Sequence, residues 1–197
     1  MLRVGLTGGM ATGKSFVAAE LQRLGCDVLQ ADQVGHRLLQ AGGAAVPAVV
    51  KAFGPEVQNA EGGIDRSTLA AIVFNDAAKL AELNGIVHPL VFQQEEDWMA
   101  TLRPDAIAVV EAAILIESGS YRRFQQIILT TCDETVQLAR AMARSGQTEQ
   151  EVRARLARQL PLAQKRQFAD HIIETSGSPE STIEQTRAVY QKLRSLA

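Results

Sequence analysis

Cysteine and aromatic residues are scarce in this chain of 197 residues: there are two cysteines, and aromatics make up 5%. Cys26 and Cys132 are far apart, form no CxxC pair and sit in or beside apolar runs, where cysteine acts as a small core residue. A paired-cysteine motif is therefore excluded, and a reducing cytosol is the expected compartment. Charge of one sign is missing too. The chain has 20 basic and 22 acidic residues, a formal charge of −2, so no global field favours nucleic acid or an anionic membrane. No hydrophobic run is long enough to span a bilayer. "IAVVEAAILIE", from Ile107, is broken by Glu111 and is about half the length a span needs. The opening "MLRVGLTGG" has too short an apolar stretch for a signal peptide before its glycines end it. His36, His88 and His171 lack metal-ligand spacing. A soluble, cytoplasmic protein is expected, a monomer with no nucleic-acid or membrane partner.

What is present is an ordinary globular composition, 46% apolar and 21% charged, enough for one large core with a smaller appendage. Five runs rich in Val, Ile and Leu read as strands: Leu2–Thr7, Cys26–Gln30, Ile107–Glu111, Gln126–Thr130 and His171–Glu174. Their near-continuous apolarity predicts strands buried on both faces, hence a parallel sheet. Helices are predicted over Lys14–Leu24, Asp32–Gln40, a series from Ala44 to Leu102, Glu134–Arg144, Glu149–Phe168 and Pro179–Leu196. This alternation predicts an α/β doubly wound fold. The spacing between strands two and three is too long for a crossover and predicts a helical insert. Residues 1–35, 105–138 and 168–197 are expected to form the core, 36–104 the insert and 139–167 a lid.

The stretch "GGMATGKS" carries the most specific signal. Gly8, Gly13, Lys14 and Ser15 satisfy G-x-x-x-x-G-K-[ST], with a strand before and a helix after, the context a phosphate-binding loop requires. Glycines let the backbone turn its N–H groups inward, and the helix adds its positive end. Lys14 would reach the β- and γ-phosphates, and the Ser15 hydroxyl would complete a magnesium shell. ATP or GTP with Mg2+ is the expected ligand. GxGxxG and the guanine-reading N-K-x-D are both absent, which disfavours a dinucleotide site and a GTPase switch.

Asp32 follows strand two, where the carboxyl ends of parallel strands meet a ligand. It reads as a general base for an alcohol acceptor or as a helix N-cap, and the two roles are compatible. Glu111 ends strand three and fits a carboxylate holding a magnesium-bound water. Arg140 and Arg144 share a helix face, from which a lid would bring guanidinium groups onto transferring phosphates. Arg153, Arg155 and Arg158 read equally as lid residues or as a solvated face. His88, before Pro89, is expected to start a helix, as a cap or a substrate contact.

With these residues in hand the chain resembles the dephospho-CoA kinase family, through "GLTGGMATGKS", "ADQVGHRLL", "GGIDRSTLAAIVF", "LNGIVHPLV", "VVEAAILIESG", "QLARAMARSG", "VRARLARQ" and "ADHIIETSG". The resemblance covers nearly the whole chain. It implies a five-stranded parallel core in order 2-3-1-4-5, a helical substrate domain and a mobile lid. It further implies transfer of the ATP γ-phosphate to the ribose 3′-hydroxyl of dephospho-CoA. On this resemblance Gly8, Gly9 and the run Ala11, Thr12, Gly13, Lys14, Ser15 and Phe16 would wrap the nucleotide with Arg144. Asp32 would be the base, with Lys14 and Arg140 acting on the phosphates. Arg66, His88, Leu115 and Glu117 would line the acceptor side. The chain departs from the family pattern at Glu111, at Ala113 and at Thr175, which stands in place of the usual Asn. Another small-molecule kinase of the phosphate-loop type, acting on a different alcohol, is the alternative.

Overall fold

Strand β1 (Leu2–Gly8) lies at the middle of a sheet and is buried along most of its length, which is why it carries apolar residues on both faces. The computed structural model describes residues 1–74 and 76–197. They divide into two units, residues 1–30 with 102–197, and residues 31–101.

The first unit is a parallel five-stranded sheet in the order β2-β3-β1-β4-β5, with β2 at Asp27–Gln30, β3 at Ile107–Glu111, β4 at Gln126–Thr131 and β5 at His171–Glu174. The predicted strands correspond to these within one residue at each end. Register brings functional side chains to one edge: Leu6 pairs with Glu111, Gln30 with Glu111, and Gly8 with Thr130. Helices α1 (Lys14–Arg23) and α9 (Pro179–Arg194) bury Val17, Leu21, Val189 and Leu193 against Val4, Leu6, Val109 and Ile128. Each such side chain contributes roughly 1.5–3 kcal/mol by leaving water. Both cysteines are buried, and burial pushes the Cys26 thiol up to about 12. No helix among the described residues is long and apolar enough to cross a membrane.

The second unit holds α2 (Ala31–Leu38), α3 (Val46–Phe53), α4 (Arg66–Val73) and α5 (Ala77–Ala100). Val34, Leu38, Val49, Phe53, Leu69, Val91 and Met99 are among its buried apolar residues. The Asp65 carboxylate caps α4 by accepting from the amides of Ser67 and Thr68, a contact worth about 1 kcal/mol.

Two helical expectations are corrected. His88 does not start a helix: α5 runs through Pro89. A proline inside a helix removes a donor and crowds the carbonyl four residues back. Here that residue is Gly85, whose carbonyl can receive no N–H from Pro89. The stretch predicted as one helix over Glu149–Phe168 is instead α6's successor α7 (Glu149–Leu156), a break, and a short α8 (Leu162–Lys165), where α6 spans Glu134–Ser145. Pro161 disfavours helical backbone at the residue before it, and the freed Leu160 N–H bonds a distant carboxylate instead.

Candidate active site

The turn between β1 and α1 is shaped by close approach. A Cβ at Gly8 would meet Thr130 Oγ1 at 2.2 Å and Thr12 Oγ1 at 2.5 Å, so only glycine fits there. Gly13 sits at the head of α1 with φ 82° and offers no side-chain cap, leaving the helix N-terminus to bind something else. Ala11 has φ 60°, a left-handed conformation that costs a non-glycine residue about 1–2 kcal/mol. Such strain persists only where the surroundings hold it.

Hydroxyls brace the loop from behind. Thr12 Oγ1 donates to the Gly9 carbonyl at 2.9 Å and lies 2.7 Å from Thr130 Oγ1. Lys14 Nζ donates to the carbonyls of Gly9 at 2.8 Å and Gly8 at 3.4 Å, so the ammonium lies across the cradle. Ser15 Oγ donates to Glu111 Oε1 at 3.0 Å. A hydroxyl and a carboxylate beside a phosphate cradle are hard oxygen donors of the kind Mg2+ prefers. Among the described residues no group of three or more His, Cys, Asp or Glu could hold a metal by itself. That donor set fits an ion bound chiefly through water and phosphate oxygens.

Residues Ala11, Thr12, Gly13, Lys14, Ser15 and Phe16 line a cavity of about 370 Å3 together with Arg140 and Arg144 from α6. The far wall is made by Thr175, Gly177, Pro179 and Thr182. Arg140 is fixed by Thr175: its Nη1 donates to Thr175 Oγ1 at 3.1 Å and its Nη2 to the Thr175 carbonyl at 2.7 Å. Thr175 Oγ1 in turn donates to the Thr12 carbonyl at 3.0 Å. Thus Thr175, where an Asn was the expectation from resemblance, ties the arginine to the phosphate loop. Arg153 is engaged with Glu134 and Glu149 and stays half exposed.

The remaining sequence-predicted residues are placed as follows. Asp32 is the second residue of α2, exposed, and inside the first turn rather than at its cap. No hydrogen bond to its side chain occurs among the described residues. Arg66 is the exposed first residue of α4. His88 is half-buried mid-α5 beside Phe92, and loss of water lowers its pKa. Leu115 is a core residue, 2% exposed. Glu117 Oε1 accepts from Lys165 Nζ at 2.7 Å and from the Leu160 N–H at 3.0 Å.

Sequence reasoning missed Lys165, which is fully buried and also donates to the Ala113 carbonyl at 3.2 Å. Removing its carboxylate leaves an uncompensated buried ammonium. Glu117→Ala should therefore lower the unfolding free energy by about 3 kcal/mol, and adding Lys165→Met should restore most of it. Denaturant titration of the single and double variants checks this; a loss no larger than that of an exposed ion pair would contradict it.

Comparison with known proteins bears on this geometry. The family model described as dephospho-CoA kinase matches residues 2–180. The dephospho-CoA kinase of Aquifex aeolicus is 37% identical over 193 residues, covering 98% of both chains. A crystal structure from Thermus thermophilus superposes with a TM-score of 0.86 at 32% identity, covering 98% of this chain and 97% of that one. The structure of dephospho-CoA kinase from Campylobacter jejuni gives a TM-score of 0.73 at 25% identity, with 98% and 97% covered. The phosphate loop, the strand order and these similarities over nearly the whole length agree: the chain belongs to the dephospho-CoA kinase family.

Proposed function

We propose that this protein transfers the γ-phosphoryl group of ATP to the ribose 3′-hydroxyl of dephospho-CoA, giving coenzyme A and ADP. The observation that carries this reading is the strand-loop-helix cradle with Lys14 and Ser15 at its head, in a chain the family model matches over residues 2–180. The transfer is direct and in line. Lys14 places a positive charge on the β- and γ-phosphates, and Arg140, held by Thr175, supplies a second cation as charge moves to the bridging oxygen. Ser15 and Glu111 would hold Mg2+, which neutralises phosphate charge when bound. Arg144, Phe16 and the wall from Thr175 to Thr182 accommodate the rest of the nucleotide.

Asp32 is the general base. It stands two residues along the chain from Gln30, whose strand partner is Glu111. A carboxylate there takes the proton of the attacking hydroxyl. Arg66 and His88 serve the acceptor, and Leu115 and Glu117 shape the loop after β3. Residues 139–167 act as the lid, and the enzyme works in the cytoplasm as a monomer.

The purified chain incubated with ATP, Mg2+ and dephospho-CoA should form coenzyme A, detected by mass. No product with dephospho-CoA, but ADP release with another alcohol from an acceptor panel, would overturn the substrate assignment.

A further inference from the structure

Met10, inside the phosphate loop, is gripped from two sides. Its N–H donates to Gln159 Oε1 at 2.8 Å, and its carbonyl accepts from Gln137 Nε2 at 2.7 Å. Gln137 is buried on α6, and Gln159 lies in the break between α7 and α8. Neither side chain lines the nucleotide cavity. Each bond fixes one peptide plane, Gly9–Met10 through its N–H and Met10–Ala11 through its carbonyl. Cis peptides are absent among the described residues, and across a trans peptide the carbonyl and N–H point in opposite directions. With the Met10 carbonyl turned to Gln137, the Ala11 N–H points away from that glutamine. Ala11 is the strained left-handed residue that lines the cavity. Were the preceding peptide free to rotate, that strain would relax and the N–H would leave its direction. Gly9 makes room for the grip: a Cβ there would meet Gln137 Nε2 at 2.6 Å.

The geometry points to Gln137 and Gln159 as positioning residues that hold the Met10–Ala11 peptide so that the Ala11 N–H serves the triphosphate. They act through Met10 and do not touch the nucleotide. Because Gln159 comes from the segment following α7, the grip ties that segment to the phosphate loop. The inference rests on the ATP reading above but is independent of which alcohol accepts the phosphate.

The two glutamines use opposite ends of the same amide, and this separates positioning from mere packing. Gln159 accepts, and glutamate keeps an acceptor. Gln137 donates, and glutamate does not. Both Gln→Glu changes add one negative charge within hydrogen-bond reach of the same residue, so their difference reports the donor or acceptor role.

Binding of ATP with Mg2+ is measured by calorimetry for the full chain, with KM values for ATP and dephospho-CoA and the thermal midpoint without nucleotide. Gln137→Ala and Gln159→Ala should each weaken ATP binding about tenfold. The KM for dephospho-CoA should change by less than about twofold, since only the phosphate loop has moved. Gln137→Glu should weaken ATP binding about fivefold more than Gln159→Glu. Where an alanine variant does not fold, the two glutamate variants decide. ATP affinity equal to wild type, equal losses for both substrates, or no difference between the glutamate variants would overturn the inference. A wild-type chain that binds ATP yet makes no coenzyme A overturns the acceptor reading alone. One that binds no ATP removes both.

Discussion

Lys14→Ala should lower kcat by a factor on the order of 10²–10³ while leaving the fold intact. The ammonium is the cation that the loop itself positions, lying 2.8 Å from the Gly9 carbonyl and 3.4 Å from that of Gly8. The residue is only partly buried, at the first position of α1, so alanine removes charge without opening the core. The thermal midpoint without nucleotide should consequently stay near wild type. With nucleotide the two proteins should part. A ligand at a hundred times its Kd stabilises the folded state by about 2.7 kcal/mol, and the variant should forfeit most of that increment. Steady-state rates and thermal scans with and without ATP and Mg2+ check both halves. A variant within about threefold of the wild-type rate would remove Lys14 from the catalytic set.

The contrast between Lys14 and Lys165 shows what kind of information the sequence holds. Lys14 is legible because everything that gives it meaning is local: a strand, two glycines and a helix start within a few residues. The strands were legible for a related reason, since burial on both faces leaves continuous apolar runs such as "IAVVE". Lys165 sits in "PLAQKRQF", which reads as surface, and its carboxylate partner lies in the loop after β3. No local pattern encodes that pairing. Gln137 and Gln159 are hidden in the same way, because their partner is a backbone peptide and any residue type supplies one. A single helix over Glu149–Phe168 passes over Pro161, whereas that proline and the long-range bond from the Leu160 N–H to Glu117 break the helix there. His88 was misplaced for the opposite reason. Proline usually marks a helix start, but α5 passes through Pro89.

Asp32→Asn should be the other severe loss, a fall in kcat of roughly 10²–10⁴-fold with ATP binding preserved. Asparagine keeps the shape of the side chain but cannot accept a proton, so the substitution isolates base chemistry. Two competing roles make separate predictions. If Asp32 were chiefly a helix cap, its loss would appear as about 1 kcal/mol of stability. The carboxylate, however, lies inside the first turn of α2 and is exposed, where its interaction with the helix end is worth only about 0.3–1 kcal/mol and asparagine keeps part of the polarity. If Asp32 instead bound the nucleotide, ATP-induced stabilisation would fall along with the rate. Base catalysis alone leaves the thermal midpoint and its rise with ATP nearly unchanged while turnover collapses. Measuring coenzyme A formation beside the two midpoints therefore separates all three. Turnover close to wild type would end the base assignment, and would leave the hydroxyl to attack a γ-phosphate activated only by the cations Lys14 and Arg140.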